Sequence, residues 1–68
     1  MKLHPVKSSN LSKIGYDPET RILEVRFKHG GTYDYENVPP SAYKRLNNAK
    51  SKGHALQAIK TKYDVVKV

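Results

Sequence analysis

The chain has 68 residues, which is enough for one small domain over residues 1–68 with a single modest core. It has no cysteine, so neither a disulfide framework nor a cysteine-based zinc site can stabilise it. Basic residues outnumber acidic ones by 13 to 6, for a net charge of +7. No apolar run approaches the ~20 residues of a membrane span and no signal peptide is visible. We therefore expect a soluble, cytoplasmic protein without membrane contact.

The first strand is predicted over residues 11–16, after a polar cluster formed by Ser8, Ser9 and Asn10. Such side chains hydrogen-bond nearby backbone and fix the entry into a strand. The alternative is that the cluster contacts a ligand. Inside the strand, Gly15 indicates either a bulge or a close backbone approach.

A β-hairpin is predicted over residues 22–38. Leu23, Val25 and Phe27 alternate with charged residues, and Tyr33 and Tyr35 alternate with polar ones, which is the period of a half-buried strand. We predict a three-residue loop at positions 29–31, with Phe27 opposite Tyr33 and Val25 opposite Tyr35.

Opposite charges then face each other on the other side of the sheet. A type I turn at residues 17–20 connects the first two strands and sets Lys13 against Glu24. The second hairpin sets Arg26 against Asp34. Both pairs favour this register.

Two amphipathic helices are predicted in the second half of the chain. Pro39 and Pro40 suit the start of the first helix, and Ser51 suits the N-cap of the second. Residues 64–68 either add a fourth strand or trail. The fold class is therefore α+β, a three-stranded antiparallel meander with two helices packed on one face, in the order βββαα.

Positive charge is concentrated in the helical half. Residues 1–38 carry six basic and five acidic side chains, whereas residues 39–68 carry seven basic side chains and one acidic one. Such concentration is typical of a surface that meets polyanions. The predicted nucleic-acid-binding residues are Lys44, Arg45, Lys50, Lys52, Lys60 and Lys62.

Six short blocks, in order, resemble the KTSC domain family, which is named after the C-terminus of some lysyl-tRNA synthetases and also occurs as free-standing bacterial proteins. They are SSNL (8–11), IGYD (14–17), L-x-V-x-F (23–27), YDY (33–35), VP (38–39) and A-x-S-x-G (49–53). The resemblance covers nearly the whole chain. It implies RNA binding, through the association with the synthetase.

The resemblance also implies a polar or stacking site. The positions carried over are Ser8, Ser9, Asn10, Tyr33, Tyr35, Ser51 and Gly53. We expect residues 8–10 to lie close to residues 51–53. At positions 54–56 the chain departs from the family, which often has an aromatic pair there.

Three functions are weighed. The first is a binding module for nucleic acid, RNA in preference to DNA, acting as a monomer or weak dimer. The second is a protein-interaction module that uses the third strand as an open edge, for β-augmentation or dimerisation. The third is an enzyme, but no base, orienting carboxylate or oxyanion hole accompanies Ser8 or Ser9. We predict no catalysis, no cofactor and no metal, since the three histidines are far apart in sequence.

Overall fold

The computed structural model describes all 68 residues and has an α+β architecture, as predicted. Five strands form one antiparallel sheet in the order β1-β2-β3-β4-β5. The strands are β1 (His4–Pro5), β2 (Leu11–Asp17), β3 (Ile22–Phe27), β4 (Thr32–Tyr35) and β5 (Val65–Lys67), and the helices are α1 (Pro40–Asn48) and α2 (Lys52–Lys62). Neither helix is long and apolar enough to cross a membrane.

The prediction of a three-stranded sheet is wrong, because short strands extend the meander β2–β3–β4 at both edges. β1 has two residues and β5 has three, too few to show an alternating pattern. β5 pairs with β4, so the third predicted strand is not an open edge. The edge expected there for protein binding lies instead on β5.

The core lies between the sheet and the two helices. On the sheet it includes Ile14 and, from the predicted alternation, Leu23 and Val25, all fully buried. The two predicted amphipathic helices contribute Leu46 from α1 and Leu56 and Ile59 from α2. The remaining buried side chains of the cluster are Leu11, Tyr35 and Val38. Full burial of each such aliphatic side chain contributes about 1.5–3 kcal/mol, which holds the helices on this face.

Both hairpins are shifted by two residues from the predicted register. Val25 pairs with Tyr33 in place of Tyr35, and with Ile14 on its other side. A shift of two leaves every side chain on its predicted face, which is why the core is nevertheless correct. The irregularity in β2 falls between Leu11 and Lys13 and not at Gly15.

The turns account for the shift. The second hairpin closes on residues 28–30, where Gly30 donates its N–H to the Phe27 carbonyl (3.1 Å) and adopts a left-handed φ of 103°. The loop therefore has the predicted length but begins one residue earlier. In the first hairpin, Arg21 is left-handed (φ 59°) and donates its N–H to the Asp17 carbonyl at 2.7 Å. Asp17 therefore pairs with Ile22, and the connection at residues 18–21 is two residues longer than the predicted turn allows.

The shift places like charges opposite each other on the outer sheet face, so the predicted opposite-charge pairs are wrong. Lys13 faces Arg26, and Glu24 faces Asp34. One carboxylate oxygen of Asp34 is shielded from solvent and accepts no hydrogen bond. A proton on Glu24 would donate to Asp34. This hydrogen bond, followed by burial and the Asp34 charge, raises the pKa of Glu24 above its ordinary value of 4.5.

Gly15 allows a close backbone approach, which was one of the two alternatives that the sequence predicted. A Cβ at this position would lie 2.7 Å from Leu3 Cδ2 and 2.8 Å from the Lys2 carbonyl oxygen. The second contact is with backbone and cannot move without displacing the segment that leads into β1. A glycine therefore lets this segment lie against β2.

Gly15→Ala is expected to destabilise the protein by about 1–3 kcal/mol, because its Cβ would overlap the Lys2 backbone. Gly53→Ala is the matched control, since its Cβ would make only ordinary contacts of 3.4 Å or more. Alanine also favours a helix by up to about 1 kcal/mol over glycine. Urea denaturation of both variants measures the difference, and equal stabilities would contradict the close approach.

Glu24→Gln is expected to raise the melting temperature relative to wild type at pH 7. The raised pKa means that the folded state binds the Glu24 proton more tightly than the unfolded chain does. The stability gained from this tighter proton binding is fully present below the pKa of Glu24 in the unfolded chain. It is lost as the pH rises through the pKa of Glu24 in the folded state. The advantage of Glu24→Gln should therefore shrink as the pH falls through the raised folded pKa of Glu24, and should be gone below its unfolded pKa of about 4.3. Melting curves between pH 3 and 8 measure it, and an advantage that grows toward acid pH would show that the two carboxyls do not share a proton.

Candidate functional site

Three separate segments meet beside the start of β2 and the end of β3, where they line a groove of about 790 Å³. They are the segment before β2, the β3–β4 turn and the junction between α1 and α2. We call this surface the lysine groove, and its lining consists of Val6, Lys7, Ser8, Ser9, Lys28, Lys50, Ser51 and Lys52. The predicted proximity of the two small polar blocks is confirmed.

Local hydrogen bonds hold the segment before β2. Ser8 Oγ accepts the N–H groups of Asn10 and Leu11, both at 3.2 Å. The Asn10 carbonyl accepts the N–H of Lys28 at 2.9 Å, which ties the β3–β4 turn to this segment. A Cβ at Gly53 would lie 3.4 Å from the Asn10 amide nitrogen, so the first turn of α2 packs against the same place. The predicted structural role, hydrogen bonding to nearby backbone at the entry into the strand, is therefore observed for the Ser8 side chain.

The α1–α2 junction forms the other wall. Ser51 is the N-cap of α2, as predicted, and its Oγ accepts the N–H of His54 at 3.4 Å. Lys52 is half-buried, and its Nζ donates to the carbonyl of Ala49, the C-cap of α1, at 3.1 Å. A cation is favourable at a helix C-terminus, so this hydrogen bond holds the Lys52 ammonium at the edge of the groove.

The groove is strongly positive. Four of its eight lining residues are lysines, and none is acidic. The hydroxyls of Ser8 and Ser51 each accept backbone N–H groups and keep their own proton to donate. Cations and hydroxyl donors are the groups that bind phosphate oxygens. No three histidine, aspartate or glutamate side chains in the structure lie close enough together to hold a metal ion.

The six basic residues predicted as one binding surface are divided by the structure. Lys50 and Lys52 line the lysine groove. Arg45 and Lys62 line a separate cleft between the two helices. The net charge of the helical half is therefore spread over more than one surface.

Two of the six lie elsewhere, and the two predicted tyrosines belong to the core side of the sheet. Lys44 is exposed on α1 and lines neither cavity, while the Lys60 ammonium lies 5.2 Å from the centre of the Phe27 ring. Tyr35 is only 3% exposed and cannot stack on a base. Tyr33 is half-buried, with its ring 5.6 Å from that of Phe27 in a T-shaped contact.

Sequence reasoning missed Lys7 and Lys28 as groove residues. Lys28 seemed to continue the alternation of β3 and so to lie on the outer sheet face. The observed loop includes Lys28, and a loop residue is released from that alternation. The glycines at positions 30 and 31 could have suggested the earlier turn. Lys7 sits in an irregular segment where no periodic pattern assigns a face.

The model of the family described as the KTSC domain matches residues 7–63. A crystal structure of a KTSC domain protein from Yersinia pestis has a TM-score of 0.95 and 41% sequence identity to this chain. The match covers 98% of this chain and 96% of that one. The family that the sequence blocks suggested is therefore shown, and the α+β fold is shared with the Yersinia pestis protein.

Two relatives differ greatly in length. A protein of Stutzerimonas stutzeri is 45% identical over 64 residues, covering 93% of this chain and 90% of its own. A lysine–tRNA ligase of Nostoc punctiforme is 38% identical over 58 residues. That match covers 84% of this chain but only 10% of the ligase. This chain is thus similar to one small part of the ligase.

Ser51→Ala is expected to destabilise the protein by about 1 kcal/mol, because the first turn of α2 loses its N-cap. Ser51→Asp should keep wild-type stability, since aspartate caps a helix as well as serine does. Chemical denaturation of both variants measures this. A loss of stability in Ser51→Asp equal to that in Ser51→Ala would contradict the capping role.

Proposed function

We propose that this chain, which belongs to the KTSC domain family, is a binding module for RNA that holds phosphates in its lysine groove. The observation that carries the proposal is the groove itself. Four lysines from three segments line one concave surface that has no carboxylate. Like charges gathered in this way repel each other, and a bound polyanion would relieve that repulsion.

The physical basis is the release of counterions. Each phosphate neutralised by a lysine releases condensed counterions, so affinity falls as the salt concentration rises. Contacts of this kind position a strand without reading its sequence. Four lysine–phosphate contacts on a single strand give a slope of log K against log salt of roughly −3.

RNA is favoured over DNA by the relative whose name is lysine–tRNA ligase. That name refers to an enzyme that acts on a tRNA, and this chain is similar to a part of it. We propose that this chain, like that enzyme, contacts RNA. We also propose a non-catalytic role, because the groove combines cations and hydroxyls without a histidine or carboxylate to act as a base.

Replacing Lys7 and Lys28 together by alanine is expected to flatten the salt slope for single-stranded RNA by about 1.4, at 0.7 per lost phosphate contact. The matched control replaces Lys44 and Lys67, which are exposed, carry the same charge and do not line the groove. Fluorescence anisotropy between 50 and 250 mM salt measures both slopes. Equal slopes in the two double variants would show that the groove is not the binding surface.

A second candidate function is protein interaction through the β5 edge. Val66 and Val68 are 50% and 69% exposed at this edge, where the backbone has no further strand to pair with. Such an edge is a template for β-augmentation or dimerisation. Binding of this kind responds little to salt. A partner retained at high salt would therefore favour this function over RNA binding.

A further inference from the structure

A second cavity, separate from the lysine groove, lies between α1 and α2. It has a volume of about 350 Å³. Six of its ten lining residues are small or apolar, namely Ala42, Leu46, Ala55, Ala58, Ile59 and Tyr63. We call it the interhelix cleft. Three alanines leave this space open, because larger side chains at the same positions would fill it.

The rim of the interhelix cleft is polar and positive. Arg45, His54, Gln57 and Lys62 complete its lining, and no carboxylate is among them. The Lys62 ammonium lies 6.0 Å from the centre of the Tyr63 ring. Charge complementarity therefore favours a ligand that has an apolar body and carries negative charge.

The size of the cleft limits the body of this ligand. About 350 Å³ is near the lower end of the range for small-molecule sites, roughly 300–1,000 Å³. A planar ring system fits such a space, whereas an amphipathic helix needs a long groove. Tyr63 is half-buried in the wall and offers an aromatic surface.

The first turn of α2 joins the two cavities. Ser51 and Lys52 line the lysine groove, and His54, hydrogen-bonded to Ser51, lines the interhelix cleft. A strand whose phosphates lie in the groove therefore has a second, base-sized cavity that begins at the same end of α2. We propose that the interhelix cleft holds a base of the bound RNA, packed on the alanines and Tyr63, with Gln57 positioned at its edge. This inference rests on the proposed function and adds a site for the base.

The test fills the cleft without touching the core. Ala58 lines the cleft but is exposed, so Ala58→Leu adds bulk there and keeps a good helix former. Thr61→Leu is the matched control, an exposed position on the same helix outside the cleft. The ligands are a hexa-adenylate RNA and linear polyphosphate of similar charge, which has no bases. A third ligand is an acidic peptide of alternating glutamate and leucine.

Ala58→Leu should weaken RNA binding about ten-fold and change polyphosphate binding less than two-fold, while Thr61→Leu changes neither. If Ala58→Leu leaves RNA binding unchanged, the base site is wrong and phosphate binding in the groove still stands. If Ala58→Leu weakens binding of the acidic peptide but not of RNA, the cleft binds a protein segment and the proposal is overturned. If wild type binds neither RNA nor polyphosphate, the proposed function itself fails.

As an independent readout, wild-type protein is titrated with adenosine monophosphate and with ribose 5-phosphate in NMR experiments. The nucleotide should shift the Ala55 and Ala58 signals, whereas the sugar phosphate should shift those of Ser8 and Ser51 only. Equal shifts at the alanines with both ligands would contradict a base in the cleft.

Discussion

The two left-handed turn residues set the register on which the sheet and the groove depend. Gly30 and Arg21 each sit at the end of a hairpin turn and fix where the flanking strands begin to pair. The turn that ends at Gly30 leaves Lys28 in the loop, where its N–H bonds the Asn10 carbonyl. This hydrogen bond brings the turn against the segment before β2. Together with the pairing of Leu11 with Phe27, it joins two of the three segments that line the lysine groove.

Turn geometry outweighs charge pairing in this sheet. Attractive cross-strand pairs contribute roughly 0.2–1 kcal/mol each to the stability of a sheet, and exposed ion pairs contribute about 0–1 kcal/mol. A register that restored the pairs between Lys13 and Glu24 and between Arg26 and Asp34 would move both turns. It would also take Tyr35 from its place opposite Leu23 in the core. The observed register therefore places the carboxyl groups of Glu24 and Asp34 opposite each other. This contact raises the pKa of Glu24.

Much of the architecture was predictable because it rests on periodic burial. The three long strands, both helices and the Ser51 cap follow from apolar spacing and capping chemistry. β1 was not predicted, and β5 was only one of two alternatives for residues 64–68, because strands of two and three residues carry no period. The polar half of the site was predictable from two serine-containing blocks. Lys7 and Lys28 were not, since their positions depend on loop geometry.

Ser51→Asp tests the central claim, phosphate binding in the lysine groove, most directly, because it adds a carboxylate to the groove and keeps the cap. Its control is Ser41→Asp, the same charge change at an exposed position in the first turn of α1, which lines neither cavity. Affinity for single-stranded RNA is measured by anisotropy at 100 mM salt. We expect at least ten-fold weaker binding for Ser51→Asp and less than three-fold weaker binding for Ser41→Asp. Equal losses in the two variants would contradict the central claim.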